Sequence, residues 1–182
     1  YRILIARHLG PGDYGLFMLA VAILGVGRTI SLMGLGSGVQ QYVNYYIGIR
    51  DHNKIKGTIL SAIKLSLPFS LIIGALVYIF SLQISMHLFH TPELIPILKI
   101  FALIIPLNAF AELFKAIFIS FKKAIYSSSI EVIGEKLLNF LLAFIAILIG
   151  EDLFGISYAY LLAYLITVAL CLIILELKVF KV

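Results

Sequence analysis

Long hydrophobic runs alternate with short polar segments along the whole chain. The runs predict five membrane-spanning helices, at about 14–35, 58–83, 93–120, 128–149 and 153–177. A helix of about 22 residues reaches about 33 Å and crosses a hydrocarbon core of about 30 Å. Tyr1 to Leu9 forms half a span before Gly10-Pro11-Gly12 interrupts it, so we expect a first helix truncated at its start. The pattern predicts an all-α, polytopic membrane helical bundle of about six transmembrane helices.

Composition agrees with a protein dissolved in lipid. Hydrophobic residues make up 62% of the chain, and only 13% are charged, against about 25% in a soluble domain. The net charge of +5 comes mainly from Lys and Arg in the short segments between apolar runs, and these do not form a basic face. We therefore expect membrane lipids as partners and no nucleic acid.

The basic residues also predict an orientation. The segments around 50–56, around 122 and after 177 carry Lys and Arg, whereas the connections 83–93 and 150–155 carry none. By the positive-inside rule the basic ends are cytoplasmic, which predicts a multi-pass protein of the cell membrane, the cytoplasmic membrane in a prokaryote. Between two of the spans, Gly36 to Gly48 carries three tyrosines and suits a helix anchored at the cytoplasmic interface.

Arg28 is the first candidate for function. It lies about eight residues from the cytoplasmic end of its predicted span, and small residues, Gly25, Gly27 and Ser31, surround it. A charge at that depth persists where it faces protein or water. Three interpretations stay open: a contact to an anionic substrate, a structural ion pair, or a side chain that reaches the interface. Arg2 is a second candidate for lining a cavity.

Two polar stripes form the second candidate site. Spacings of i, i+4 and i+7 or i+8 align Asn108, Glu112 and Lys115 on one span, and Glu131, Glu135 and Asn139 on the next. If the two spans are antiparallel neighbours, Lys115 lies near Glu131, Glu112 near Glu135, and Asn108 near Asn139. This predicts either an interhelical ion pair between Lys115 and Glu131 or a proton- or cation-coupling site at Glu112 and Glu135. The two asparagines would supply a polar lining.

Patterns for other chemistries are weak. His87, His90 and Glu93 are close in sequence, but they suit an interfacial loop better than a metal site, since no His-Glu-x-x-His pattern is present. The sequence contains no Walker loop. We therefore expect no catalytic residues, no metal and no cofactor.

A resemblance to a known family rests on one continuous stretch, Ala6-Arg7-His8-Leu9-Gly10-Pro11-Gly12-Asp13-Tyr14-Gly15-Leu16-Phe17. It resembles the first external turn of the polysaccharide transporter and O-antigen flippase family, within the multidrug/oligosaccharidyl-lipid/polysaccharide flippase superfamily. The resemblance continues through Gly34 to Gly38 and through Ile49 to Gly57, and helix number and orientation agree over the rest of the chain.

The resemblance implies two six-helix lobes around a central cavity, with residues 1–182 forming the N-terminal lobe. The partner would be a C-terminal lobe absent from this chain, or a second copy. It implies that lipid-linked oligosaccharides move from the cytoplasmic to the outer leaflet by alternating access. Arg28, and with it Arg2, would attract the pyrophosphate of a polyprenyl-linked substrate.

Two other functions remain open. A multidrug/cation antiporter of the same superfamily would use an acidic cavity, which Glu112 and Glu135 favour and Arg28 disfavours. A membrane-embedded glycosyltransferase would need carboxylates at an interface, for which Glu131 and Glu135 are the candidates.

Overall fold

The computed structural model describes residues 2–121 and 130–178, without the side chains of residues 2, 130, 133, 134 and 175–178. The described residues form helices joined by short turns and loops, with no strand among them, which confirms the all-α prediction. The helices are α1 (Arg2–Leu32), α2 (Leu35–Gly48), α3 (His52–Ile79), α4 (Ser81–Gln83), α5 (Leu94–Ser120), α6 (Leu138–Ile149) and α7 (Leu153–Lys178). Two π-helical segments, Ile84–Leu88 and Ile130–Leu137, follow α4 and precede α6.

Four helices of the described chain are long and apolar enough to cross a membrane, at Ile3–Leu32, His52–Ile79, Leu94–Ser120 and Leu153–Ile174. They account for four of the five predicted spans. The fifth, predicted at 128–149, is divided between the π-helical segment and α6, neither of which reaches spanning length separately. Residues 128 and 129 of that prediction lie outside the described residues.

The predicted interruption near Gly10 is confirmed. Gly10 leaves helical geometry with φ 77° and ψ 173°, in the region of positive φ that glycine tolerates best. Before the break, Ile5 packs in the same core as Ala143 of α6, and the His8 ring is 3.1 Å from the backbone oxygen of Glu151. After it, Leu16 lies beside Leu153. The chain therefore approaches the α6–α7 turn in residues 2–9 and leaves it in residues 12–32.

α5 lies at the centre of the bundle. In its most apolar window 61% of the residues are buried, against 28–39% in the other three candidate spans. It packs against α1, α2, α3 and α7. Phe17 of α1, Phe101 of α5 and Tyr160 of α7 meet with ring centroids 5.6–5.7 Å apart and tie these helices together.

Two glycines allow other helices to approach α5 closely. A Cβ atom at Gly27 of α1 would lie 2.9 Å from Cδ1 of Ile105, and one at Gly74 of α3 would lie 2.8 Å from the backbone oxygen of Ala102. Small residues at such crossings let helix backbones pack tightly. The contact at Gly27 sets the next residue, Arg28, beside α5.

The tyrosine-rich segment forms a helix, as predicted. Val39 and Val43 of α2 are buried against the bundle, whereas Tyr42 and Tyr45 are exposed. The arrangement suits a helix with one face on protein and one at an interface, and the anchoring role stays a prediction.

Candidate functional site

Four charged side chains from three elements meet inside the bundle, and we call them the charged network: Arg28, Glu112, Lys115 and Glu135. Nη1 of Arg28 on α1 donates a hydrogen bond of 2.7 Å to Oε1 of Glu112 on α5. Nζ of Lys115 lies 3.0 Å from that same oxygen and 2.8 Å from Oε1 of Glu135, in the π-helical segment before α6. The network connects α1, α5 and the π-helical segment through alternating charges.

The local sequence explains how the network forms. Gly27 brings α1 close to α5, so the guanidinium of Arg28 reaches Glu112 without spanning a gap. Ser31, one turn further, is buried and donates to the backbone oxygen of Gly27, which removes a competing donor from the helix crossing. On α5, Glu112 and Lys115 are three residues apart, a spacing that places both on one face.

Charge and burial together define two ends of the network. It holds two cations and two carboxylates, so its formal charge balances, as burial in a low-dielectric interior requires. The side chain of Lys115 is 12% exposed and that of Glu135 is 18% exposed. Those of Glu112 and Arg28 are 29% and 37% exposed. Arg28 is therefore at the accessible end, and Lys115 is the buried link between the two carboxylates.

The predicted ion pair between Lys115 and Glu131 is wrong. Lys115 instead contacts Glu112 and Glu135, and Glu131 pairs with Lys136, whose Nζ lies 2.8 Å from Oε1 of Glu131. The prediction assumed α-helical spacing, whereas residues 130–137 are π-helical, with a wider turn that brings residues five apart together.

The assumption that the two polar stripes face each other along their length is also wrong. α6 packs mainly against α7, and α7 packs against α5, so α7 separates most of α6 from α5. The two stripes meet where Lys115 reaches Glu135. Glu112 and Glu135 are joined through that lysine, and a role in proton or cation coupling stays a prediction.

Asn108 and Asn139 lie one turn beyond the carboxylates, on α5 and α6, and both are buried. The side-chain nitrogen of Asn139 donates to the backbone oxygen of Glu135. The Oδ1 atoms of both asparagines find no hydrogen-bond partner in the described part of the chain. A buried carbonyl oxygen without a partner costs about 1–3 kcal/mol, so these atoms extend the polar interior beyond the network.

The other candidates have different positions. Arg2 is at the start of α1, and its side chain lies outside the described residues. His87 lies in the last turn of the π-helical segment Ile84–Leu88, and His90 and Glu93 lie in the loop that leads to α5. Within residues 2–121 and 130–178 no group of three or more His, Cys, Asp or Glu side chains converges as a metal site.

The sequence reasoning considered an ion pair for Arg28 but did not name Glu112 as its partner. A depth count makes Glu112 a candidate, but the packing of α1 against α5 is needed to select it. Arg28 was counted at about eight residues from the cytoplasmic end of its span. Glu112 lies eight residues before Ser120, the last residue of α5, at the end predicted to be cytoplasmic. Two opposite charges at equal depth on packed helices pair because neither can be left alone in hydrocarbon.

The sequence model of a family described as polysaccharide biosynthesis protein matches residues 1–181. The chain belongs to this family. No curated protein and no solved structure matches the chain. Membership confirms the resemblance to polysaccharide transporters and O-antigen flippases that the Gly10-Pro11-Gly12 turn carries.

Family membership and the apolar helices agree on a coarse function. This polysaccharide biosynthesis family protein is a multi-pass membrane protein of polysaccharide transport, and members of the family are generally transporters. The charged network is thus a group of charges inside a transporter bundle, a position in which such residues commonly serve the transported substrate or its coupling ion.

Proposed function

We propose that this family protein moves oligosaccharide or polysaccharide precursors, linked to polyprenyl pyrophosphate, from the cytoplasmic to the outer leaflet of the cell membrane by alternating access. The observation that carries the proposal is Arg28, a guanidinium inside the bundle whose side chain is 37% exposed. A planar guanidinium binds phosphate oxygens in a bidentate manner, so it suits a pyrophosphate group.

The network supports an exchange of partners at Arg28. Glu112 has two cations within 3.0 Å, Arg28 and Lys115. When a pyrophosphate takes Arg28, the carboxylate keeps Lys115 and is not left unpaired. Arg28 can therefore leave its protein partner for the substrate without stranding a charge, and it returns to Glu112 when the substrate departs.

The membrane potential favours the outward direction. An anion that moves out of an inside-negative cell gains about 2.3 kcal/mol per charge per 100 mV. A pyrophosphate-linked substrate is anionic, so its outward movement needs no coupling ion on energetic grounds. This agrees with carboxylates that are occupied by Lys115 and Arg28.

Alternating access requires a second bundle opposite the accessible end of the network. We propose that a C-terminal lobe or a second copy of the chain supplies it. The buried Oδ1 atoms of Asn108 and Asn139 would then form part of a polar cavity wall, with hydroxyl groups of the sugar or water as their partners.

The two other candidate functions have less support. Cation antiport needs carboxylates free to take a cation or proton, whereas Lys115 lies between Glu112 and Glu135 within 3.0 Å of both. A glycosyltransferase would use Glu131 and Glu135, and each of these is paired with a lysine.

A transport assay tests the proposal. The full-length protein is placed in sealed vesicles, and the transbilayer movement of a labelled polyprenyl-pyrophosphate oligosaccharide is followed. Arg28→Ala should lower the rate at least about tenfold, the equivalent of one lost charged hydrogen bond. Arg28→Lys should retain part of the rate, because the charge remains without the bidentate geometry.

Arg7→Ala is the matched control, since Arg7 is an exposed arginine on the same helix. It should transport at the rate of the unaltered protein. Folding of each variant is checked by its elution as a single species and by its helical circular dichroism. A folded Arg28→Ala variant that transports normally would refute the assignment of Arg28. A folded, unaltered protein that moves no lipid-linked sugar would refute the function.

A further inference from the structure

A cavity of about 680 Å³ begins one helical turn beyond Lys115 along α5, at the end of the bundle where the positive-inside rule puts the cytoplasm. The end of α2, the start of α3 and the end of α5 form its walls. The residues used below are Ile47, Arg50, Ile55, Lys56, Ile119 and Phe121.

The cavity has two cations without a counter-ion. Arg50 and Lys56 line it, and neither forms an ion pair with any carboxylate that the structure describes. Asp51, between them in sequence, is 3.3 Å from Lys54. It also caps α3 by accepting a hydrogen bond from the backbone nitrogen of Lys54. The nearest carboxylate in sequence is therefore engaged elsewhere, and the cavity keeps its positive charge.

The rest of the wall is mainly apolar, with Asn44, His52 and Ser120 as its neutral polar members. Ile47 of α2, Ile55 of α3 and Ile119 of α5 line the same space, with Phe121 at its edge. Positive charge beside an apolar wall at a membrane surface fits a ligand that joins an anionic group to a hydrocarbon chain. Basic pockets between transmembrane helices on the cytoplasmic side bind anionic lipid headgroups for this reason.

We propose that this cavity binds an anionic membrane phospholipid. Its phosphate meets Arg50 and Lys56, and its acyl chain lies against the three isoleucines. The leaflet on this side is the one that presents anionic lipids in quantity, so charge complementarity selects a resident phospholipid as the occupant. None of the four residues of the charged network lines this cavity, so the proposal does not depend on the proposed transport function.

The absence of tryptophan from this chain permits a direct measurement. Phe121→Trp places an indole at the edge of the cavity in the full protein, reconstituted in vesicles of phosphatidylcholine and phosphatidylglycerol. Brominated chains on either lipid quench an indole they touch. Brominated phosphatidylglycerol should quench more strongly than brominated phosphatidylcholine at equal mole fraction, with a preference of about fivefold for each cation that contributes.

The substitutions at Arg50 and Lys56 are chosen to remove charge without changing the backbone conformation. Arg50 has a φ of 57°, a left-handed conformation that asparagine tolerates better than most residues, so Arg50→Asn removes the charge and keeps the turn. Arg50→Asn with Lys56→Gln should reduce the lipid preference to nearly one. Lys54→Gln is the matched control, because it removes a charge from the same helical turn outside this cavity. It should leave the preference within about twofold.

Three results would overturn the proposal. Equal quenching by the two lipids in the parent variant would show that the cavity does not select an anionic headgroup. An equal loss of preference with Lys54→Gln would show only general surface attraction. Displacement of brominated phosphatidylglycerol by a few mole percent of polyprenyl phosphate would show that the substrate carrier, and not a resident phospholipid, is the occupant. If Phe121→Trp does not fold, Ile119→Trp on the same wall repeats the measurement.

Discussion

Arg28 and Arg50 hold their positive charges under opposite conditions. Arg28 lies inside the bundle with Glu112 at 2.7 Å, in a network whose charges sum to zero. Arg50 lies at the end of the bundle that is predicted to be cytoplasmic, with no ion-pair partner among the described carboxylates. The interior must balance its charges within the protein, because hydrocarbon supplies no counter-ion. The interface leaves that balance to water, salt and lipid headgroups.

The lysines differ in the same way. The side chain of Lys115, at the centre of the network, is 12% exposed, whereas that of Lys54, near the cavity, is 60% exposed. Charge removal at Lys115 should therefore destabilise the protein, whereas charge removal at Arg50 and Lys56, which line the cavity, should change its ligand preference. The following predictions test that division, from the largest effect on stability to the smallest.

Lys115→Met should cause the largest loss of stability. It leaves Glu135 as a nearly buried carboxylate without its cation, at an expected loss of about 3 kcal/mol in the free energy of unfolding. Denaturant titration in detergent or bicelles, followed by circular dichroism, measures it. Lys136→Met is the control, since its pair with Glu131 is exposed to solvent and should contribute little to stability.

A compensating change separates charge from packing. In Lys115→Met with Glu135→Gln, no carboxylate is left without a cation, because Glu112 keeps Arg28. We expect this double variant to be more stable than Lys115→Met alone. Equal stability of the two would mean that Lys115 contributes through its packing, and the distinction between the two regions would not rest on charge.

Glu112→Gln should have an intermediate effect. Lys115 keeps Glu135, and Arg28 loses its anionic partner in a place where solvent screens part of the charge. We expect a loss of about 1–2 kcal/mol in the free energy of unfolding. The variant should also bind polyprenyl pyrophosphate more tightly, since the carboxylate that competes for Arg28 is gone. Weaker binding in a filter or fluorescence assay would contradict the proposed exchange of partners.

Asp51→Asn should have the smallest effect on stability, and that effect should depend on pH. The hydrogen bond from the backbone nitrogen of Lys54 holds the pKa of Asp51 below its ordinary value. A carboxyl whose pKa is depressed by folding stabilises the protein above the unfolded pKa, and this stability is lost as the pH falls through the folded pKa. The protein should therefore lose its advantage over Asp51→Asn as the pH falls below the ordinary carboxyl pKa of about 3.9 and through the lower folded pKa.

Asparagine remains a good helix cap, so this comparison isolates the charge. Unfolding midpoints at several pH values measure the difference. If the difference in unfolding midpoint between the two proteins grew as the pH fell, the direction assigned to the pKa shift of Asp51 would be wrong. A large difference in midpoint at neutral pH would mean that the charge of Asp51, in an exposed turn, stabilises the protein as much as the charges of the interior network do.

Much of the fold is readable from the sequence. Long apolar runs predict the helices because the membrane demands about 20 residues of hydrocarbon-compatible chain in one piece, and α3, α5 and α7 follow that rule. The interruption at Gly10 is equally local, since Gly-Pro-Gly breaks a helix wherever it occurs. No comparable sequence pattern indicates the π-helical geometry of residues 130–137. The sequence therefore predicts one continuous α-helix where the structure has a π-helical segment followed by α6.

The candidate site was only half predictable. Hydropathy alone marked Arg28, Glu112, Lys115 and Glu135 as charges that need an explanation, and the structure brings all four together. Their pairing was not predictable from spacing. It depends on the close crossing at Gly27 and on the π-helical turn that moves Glu131 toward Lys136.

The sequence by itself determined that this protein is a helical membrane protein of the polysaccharide biosynthesis family and that a few charges lie within its spans. Only the tertiary structure decided which charge neutralises which, and that Arg50 and Lys56 face a cavity. The physical reason is that the two properties depend on different distances, one along the sequence and one in space. Helix formation and membrane insertion depend on residues close together in sequence, whereas an ion pair depends on the few ångströms between helices that are distant in sequence.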